Sequence, residues 1–255
     1  MRHIQYNFYI TDFNDKLKEQ KLNNDPIYLV QQFFIHSNNE RFNEIRYCLK
    51  QNIQLNLFEK IILLNEKIYS KEELDLSDEH MNKIIQIDIG RRLRYKDIFE
   101  HVNKLNLKGY ISIANSDIFF DETIQNVRKS CLSKIKSLYC LLRYEYKIGK
   151  QISDCDFFRF CIKHPRYGDA RYDAQDSWIY HTSQIDINEI FLEQMDILLG
   201  IAGCDNVVTM KLYNMNYLCI NAPSNVRTYH NHNTEIRNYD KNDPISGPYL
   251  FLKPY

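Results

Sequence analysis

The stretch Tyr110-Ile-Ser-Ile-Ala-Asn115-Ser-Asp117-Ile-Phe-Phe-Asp121 joins a short apolar run to a cluster of polar and acidic residues. Its first half predicts a buried strand, and the polar groups begin where that strand would leave the core, which is where open α/β sheets bind ligands. Asn115 and Asp117 project from the same face of an extended chain, and such an oxygen pair suits a hard divalent cation that carries a phosphate. The alternative is a plain strand followed by a helix that Asp121 caps, with Glu122 in its first turn.

Composition and charge limit the class of protein. The chain has 255 residues, 44% hydrophobic and 26% charged, which is enough for one large domain with a full core. Thirty-three basic and thirty-three acidic side chains cancel, so we expect no nucleic-acid partner and a local site for any anionic ligand. No signal peptide or membrane span is evident. Seven cysteines without zinc-type spacing fit reduced thiols, and we expect a cytoplasmic protein.

Apolar runs alternate with amphipathic stretches through the first 145 residues. Strands are predicted near 27–35, 60–65, 83–88, 110–117 and 137–143. Helices are predicted over 40–51, after Tyr95 with Ile98, Val102 and Leu105 inward, and over 121–134, whereas 67–82 resembles a loop. This order is typical of parallel βαβ units. The predicted fold class is therefore α/β, a single Rossmann-like domain with a mostly parallel central sheet flanked by helices.

The second half of the chain is less regular. Residues 157–173 indicate a loop or edge strand, 177–181 a short strand, 190–199 a helix and 217–220 a last strand. Asp205 is predicted to cap a helix over 205–214, and Arg227 opens a polar tail. Since no repeat or linker is visible, the sequence predicts no second domain.

A basic cluster follows the third predicted strand, at Arg91, Arg92, Arg94 and Lys96. Guanidinium groups there would bind a diphosphate bidentately, and the alternative is a solvated helix start. Dinucleotide and P-loop sites are excluded, because neither glycine-rich motif is present.

Three further residues carry two interpretations each. His230 and His232 alternate along the chain and share a face if it is extended, which would suit a metal, although two histidines in a polar tail are more often ordinary loop residues. Trp178, the single tryptophan, is either a core residue or a flat platform for a sugar ring.

Together these segments resemble the nucleotide-sugar-dependent glycosyltransferases of the GT-A fold. The resemblance rests on the order of the βαβ units, on Asn115-Ser-Asp117 and on Gly203-Cys204-Asp205-Asn206. More closely, Ala114 to Asp121, Gln175-Asp-Ser-Trp-Ile179 and Gly203 to Asn206 resemble small glycosyltransferase-like proteins of large DNA viruses and bacteria. The similarity covers roughly residues 27–240. In this chain Asn115 stands at the first position of the family's Asp-x-Asp motif, and Cys204 replaces the Glu of its Glu-Asp pair.

The resemblance implies a single GT-A-like domain. Residues 1–26 would be an N-terminal extension, 27–145 the half that binds the nucleotide sugar, and 146–255 the acceptor-binding half with a C-terminal tail. The implied reaction moves a sugar from a nucleoside diphosphate sugar, with a UDP-sugar as the first guess, to a hydroxyl of a glycan or other acceptor. If the protein is viral, the resemblance implies that it lies in the cytoplasm of the host cell.

The resemblance also implies the site. Asp117 would hold Mn²⁺ or Mg²⁺, with His230 completing the coordination and His232 in reserve, while Asn115 and Ser116 would bind the nucleotide sugar.

Further roles follow from the same resemblance. Phe34, Ile35 and His36 would line the nucleotide base, and Arg91 or Arg92 would assist the diphosphate. On the acceptor side the resemblance implies Asp205 as the general base of an inverting transfer, with Asp176 as the alternative and Trp178 beside the acceptor.

Two other functions stay open from the sequence. A nucleotidyltransferase also places carboxylates and a metal beside a nucleotide, although it usually has a glycine-rich loop after the first strand, and His36-Ser-Asn-Asn39 contains no glycine. The replacements at Asn115 and Cys204 leave room for a binding protein with a degenerate, non-catalytic site.

Overall fold

The computed structural model describes residues 23–157, 172, 174–234, 236–237, 240 and 243–254. Within these residues the strands are β1 Ile27–Gln31, β2 Lys60–Asn65, β3 Ile84–Asp88, β4 Tyr110–Ala114, β5 Ile118–Phe120, β6 Ser137–Leu142, β7 Tyr144–Glu145, β8 Asp156–Phe157, β9 Gln175–His181, β10 Leu218–Ile220 and β11 Thr228–His230. The α-helices are α1 Asn39–Gln54, α2 Lys71–Leu74, α3 Asp78–Met81, α4 Tyr95–Lys104, α5 Glu189–Gln194 and α6 Cys204–Asn214.

A seven-stranded sheet forms the centre of the fold, in the order β10-β6-β9-β4-β1-β2-β3. Neighbouring strands of this sheet run parallel, except that β9 is antiparallel to both β4 and β6. This arrangement confirms the predicted mixed α/β class with a mostly parallel sheet. The strand predicted at 177–181 begins at Gln175 and lies inside the sheet, with all seven residues buried.

The two faces of the sheet carry separate hydrophobic cores. Successive side chains of a strand point to opposite faces, so Leu29 packs in one core and Val30 in the other. Helix α1 covers the first face through Ile45 and Leu49. The second face is covered by α4, α5 and α6, with Ile98 of α4 among its buried residues. Burial on both faces explains why the parallel strands appear in the sequence as continuous apolar runs.

Four local predictions need correction. The loop predicted at 67–82 contains the short helices α2 and α3, each capped by a serine side chain. The helix predicted over 121–134 is a 3₁₀-helix, Glu122–Lys129, whose buried residues Ile124 and Val127 lie three apart, the spacing that aligns side chains in that helix. Helix α5 ends at Gln194 rather than 199. Leu105 follows the last turn of α4 and is 37% exposed instead of inward.

The prediction of a polar tail after Arg227 is also wrong. Residues Thr228–His230 form strand β11 of a second sheet, in the order β5-β11-β7-β8, and all three are buried. Strand β11 runs parallel to β7, and this register pairs His230 with Glu145. The second sheet therefore brings the histidine segment beside β5, directly after Asp117.

Two predicted segments lie wholly or mostly outside the described residues, the N-terminal extension and the loop at 157–173. Among the described helices, none combines the length and apolar character that crossing a membrane requires. Six cysteines lie in the described part of the chain, and five of them, Cys48, Cys131, Cys140, Cys204 and Cys219, are free thiols.

Candidate metal and nucleotide site

A cavity of about 740 Å³ opens where the parallel strands end. Asn115, Ser116 and Asp117 form the turn between β4 and β5, which the Ile118 N–H closes by donating to the Asn115 carbonyl at 3.1 Å. All three residues line the cavity. The predicted polar cluster therefore lies at the carboxyl edge of the sheet, the usual ligand position in such folds.

Asp117 lies at the centre of a three-residue cluster with His230 and His232. Its Oδ2 atom is 3.2 Å from His230 Nε2 and 3.6 Å from His232 Nδ1. The three ligand atoms lie within 4.8 Å of one another, and both Asp117 and His230 are buried. His232, which the sequence analysis gave as the alternative to His230, therefore belongs to the same cluster.

The remaining ring nitrogen of each histidine faces a hydrogen-bond acceptor. His230 Nδ1 is 3.0 Å from Glu145 Oε2, and His232 Nε2 is 2.9 Å from the Ile236 carbonyl. An acceptor at one nitrogen places a proton there, so the neutral ring directs the lone pair of its other nitrogen toward Asp117. Two imidazole lone pairs facing a carboxylate repel it, so either a second ring proton, as in the charged form of His230, or a metal ion must lie between them. The residues present therefore fit a divalent metal, with the outer hydrogen bonds that ligating histidines usually have.

The charges around Asp117 favour its ionised form. Burial by itself raises the pKa of Asp117, but the charge and hydrogen bonds of His230, a hydrogen bond from His232 and the charge of Arg41 lower this pKa well below its usual value. Burial and the charge of Arg143 lower the pKa of His230, but Asp117 and Glu145 raise it by more. The pKa of His230 is therefore higher than its ordinary value. An ionised carboxylate is the form that a metal needs.

Two arginines that sequence reasoning missed, the buried Arg41 and the half-buried Arg143, also line the cavity. Arg41, near the start of α1, places Nη2 2.5 Å from Asp117 Oδ2 and Nη1 2.8 Å from Glu44 Oε2. Arg143, directly after β6, bonds Asp176 and lies 2.8 Å from Glu145 Oε1. The only sequence signals were the three-residue spacing of Arg41 and Glu44 on a helix and the alternation of Arg143 and Glu145 after a strand.

The two arginines predicted to bind the diphosphate differ in position. Arg91 forms a bidentate pair with Asp97, at 2.6 and 2.7 Å, and is outside the residues that line the cavity. Arg92 does line the cavity, and its guanidinium donates to the carbonyls of Leu199 and Gly200 at 3.1 and 2.5 Å. This geometry does not support the role predicted for Arg91, because its guanidinium pairs with Asp97 in the first turn of α4 and lies outside the cavity lining.

Asn115 has a structural reason to be an amide. Its Nδ2 donates to Asp176 Oδ1 at 2.7 Å, and its backbone N–H donates to the Asp176 carbonyl at 3.2 Å. An aspartate in this place would bring two carboxylates together, which is unfavourable. Asn115 Oδ1 is buried and has no hydrogen-bond partner within the described part of the chain, so it is an acceptor at the cavity wall.

The predicted catalytic carboxylates both line the cavity. Asp176 accepts hydrogen bonds from Asn115 and Arg143, so its carboxylate is held in place. Asp205 lies in the first turn of α6 and is half-buried, but the N-cap is Gly203 in the left-handed conformation, with φ of 78°. The prediction that Asp205 caps this helix is therefore wrong, and glycine fits because this φ suits a residue without Cβ.

Trp178 packs as a core residue. Its ring is 1% exposed and meets Tyr95 edge-to-face, with centroids 5.0 Å apart. A sugar platform requires an open ring face, which this burial excludes, so the predicted acceptor role is replaced by a position in the cavity wall. Of the predicted base-lining residues, Phe34 reaches the cavity, whereas Ile35 is 44% exposed and His36 Nδ1 accepts the backbone N–H of Asn38 at 2.9 Å.

Comparison with known proteins supports the fold through structure rather than sequence. No model of a known protein family matches the chain, and no curated protein sequence matches it. Among solved structures, GalNAc-T7 with UDP, GalNAc and Mn²⁺ is similar with a TM-score of 0.51 and 12% identity, over 84% of this chain and 44% of that one. The mannosyltransferase PcManGT from Pyrobaculum calidifontis, in complex with GDP-Man and Mn²⁺, is similar with a TM-score of 0.49 and 8% identity. The similarity covers 88% of this chain and 64% of that one.

The likeness to GalNAc-T7 and the mostly parallel central sheet show a fold of the GT-A type. The chain spans less than two thirds of the length of either structure.

Proposed function

We propose that this protein transfers a sugar from a nucleoside diphosphate sugar to an acceptor hydroxyl with the help of a divalent metal ion. The observation that carries the proposal is the cluster of Asp117, His230 and His232, whose metal-facing atoms converge at the edge of a GT-A-type sheet. Fold alone does not fix a function, but this donor set lies where the fold binds its ligand. The closer relationship to the small viral and bacterial proteins stays a prediction from sequence motifs.

Asp117, His230 and His232 would hold the ion. One carboxylate and two imidazoles favour Mn²⁺ over Mg²⁺, because Mg²⁺ prefers an all-oxygen shell. When bound, such an ion would offset the charge of the leaving diphosphate.

The donor would occupy the cavity along the strand ends. Its size, about 740 Å³, is suitable for a nucleotide sugar. Phe34 follows β1, lines the cavity and would contact the base of the donor, which we propose is a UDP-sugar. Arg92 and Arg143 line the cavity and would stabilise the diphosphate, since guanidinium groups pair well with phosphate oxygens. Asn115 Oδ1 would accept a hydrogen bond from a hydroxyl of the ribose or sugar.

Asp205 would be the general base. It would take the proton of the acceptor hydroxyl while that oxygen bonds to the anomeric carbon and the bond from this carbon to the diphosphate breaks, which inverts the anomeric centre. The first turn of α6 suits this role, because the positive end of the helix dipole favours a charged carboxylate. Asp176 is less suited, since its oxygens already accept hydrogen bonds from Asn115 and Arg143.

Calorimetry with a panel of nucleotides and nucleotide sugars, with and without Mn²⁺, tests the proposal. We expect Mn²⁺-dependent binding of at least one nucleoside diphosphate sugar, followed by release of its nucleoside diphosphate when an acceptor is supplied. Preference for sugar-free triphosphates would indicate a nucleotidyltransferase instead. Binding without any turnover across donors and acceptors would indicate a non-catalytic protein.

A further inference from the structure

Arg41 places a permanent positive charge on the same carboxylate oxygen that the metal would use. Its Nη2 atom lies 2.5 Å from Asp117 Oδ2, the atom that both histidines also approach. The Arg41 side chain is only 8% exposed, yet it lines the cavity. A guanidinium and a divalent ion carry like charges, so they repel each other when both lie against one oxygen.

The surroundings of Arg41 allow its guanidinium to leave Asp117 without stranding a charge. Its other partners are the Asn231 carbonyl, 3.4 Å from Nη1, and Glu44. Glu44 also accepts the backbone N–H groups of Asn233 and Thr234 at 2.6 and 2.8 Å, and the Thr234 hydroxyl at 3.1 Å. Glu44 therefore stays satisfied when Arg41 moves. Asp117 would in turn exchange the guanidinium for the metal.

We propose that Arg41 is a resident counter-ion that the metal displaces from Asp117 and that then binds the diphosphate of the donor. This inference rests on the proposed function and deepens it. The displaced guanidinium stays in the cavity, held at its base by the first turn of α1, and a diphosphate is the anion that a metal brings there. Metal binding and diphosphate binding are thereby coupled through one side chain.

Calorimetry with Mn²⁺ alone and with inorganic pyrophosphate plus Mn²⁺ tests the exchange, because pyrophosphate needs no assumption about the base. Arg41→Gln removes the competing charge, so its affinity for Mn²⁺ alone should rise about tenfold. In the Mn²⁺-saturated protein, the same variant should bind pyrophosphate about tenfold or more weakly, since one guanidinium contact is lost. Opposite shifts in the two affinities are the signature of the exchange.

Arg46→Gln is the matched control. Arg46 lies on the same helix, but its guanidinium pairs with Asp75 at 2.8 Å and is outside the cavity lining. The control loses the same charge and should change neither affinity. If Arg41→Gln does not fold, Arg41→Lys provides the second test, because a single ammonium cannot bridge Glu44 and Asp117 as the guanidinium does, and its Mn²⁺ affinity should also rise.

The outcomes separate the two proposals. If the parent protein binds neither Mn²⁺ nor Mn²⁺ with pyrophosphate, the metal-dependent function is wrong and the exchange falls with it. If the parent binds both while the Arg41 variants bind Mn²⁺ with unchanged or weaker affinity, the exchange alone is wrong and Arg41 is a structural partner of Asp117.

Discussion

Glu145 is the residue through which the proposed metal site can be tested without touching a ligand. Its two carboxylate oxygens have separate tasks, with Oε2 3.0 Å from His230 Nδ1 and Oε1 2.8 Å from Arg143 Nε. Both neighbours are donors. Glu145→Gln keeps the shape but offers one carbonyl and one NH₂ group, so either His230 or Arg143 must face a donor. If it is His230, the proton moves to Nε2, the nitrogen that faces Asp117.

The expected magnitude follows from this change of tautomer. Loss of an outer-shell partner of a ligating histidine typically costs 10–100-fold in metal affinity, which corresponds to about 1.4–2.7 kcal/mol. Calorimetric titration of the parent protein and of Glu145→Gln with Mn²⁺ at neutral pH measures this loss of metal affinity. Glu100→Gln is the control, because Glu100 lies on α4, 4.0 Å from Lys96, outside the cavity lining.

The same variant changes stability in acid. Burial by itself raises the pKa of Glu145, but His230 and Arg143 lower it to about 2, against an ordinary value of 4.5. A lowered pKa in the folded state stabilises the protein above pH 4.5, and this contribution is lost as the pH falls toward 2. With the side chain 32% exposed, we expect a contribution on the order of 2 kcal/mol after solvent screening. Urea unfolding with a chelator should show the parent losing more stability than Glu145→Gln between pH 5 and pH 2, which are rough bounds of this window.

Two results would refute this reasoning. Unchanged Mn²⁺ affinity in the folded variants Glu145→Gln and Glu145→Ala, the second of which offers His230 no acceptor, would mean that Glu145 does not orient His230 or that His230 is not a ligand. Parallel pH profiles for parent and variant would show that the Glu145 carboxylate is not stabilised in its ionised form by these neighbours.

Three further variants test the remaining roles. Asp117→Asn should abolish Mn²⁺-dependent donor binding in calorimetry, and it should lower the stability to urea by up to about 3–5 kcal/mol, because Arg41 then loses a buried partner; donor binding like that of the parent would exclude Asp117 as the ligand. Arg92→Ala should weaken nucleoside diphosphate binding more than nucleoside binding, and equal losses would leave it the structural role of holding the 199–200 carbonyls. Asp205→Asn should reduce transfer by roughly 10²–10⁴-fold with donor affinity and melting temperature little changed, and full activity would shift the base to Asp176.

The alternation of strands and helices and the position of the central polar cluster could be predicted from the amino-acid sequence alone. Strands buried on both faces must be apolar throughout, so β1, β2, β4 and β6 are visible as apolar runs. Because a ligand edge follows from strand direction, the polar residues after Tyr110–Ala114 also identified Asp117. These inferences depend on local periodicity, which the sequence records directly.

The residues that contact Asp117 could not be predicted from the sequence, because they are brought together by folding. Arg41 comes from helix α1, Glu145 from the two-residue strand β7 and His232 from the segment after β11. Their contacts with this site depend on the packing of α1 against β5 and on the pairing of β5, β11 and β7 in the second sheet. Packing of α4 against the central sheet buries Trp178 beside Tyr95, and Asp97 of the same helix pairs with Arg91. Such pairings join positions up to 190 residues apart, and no local pattern encodes them, because burial and charge pairing are properties of the folded chain.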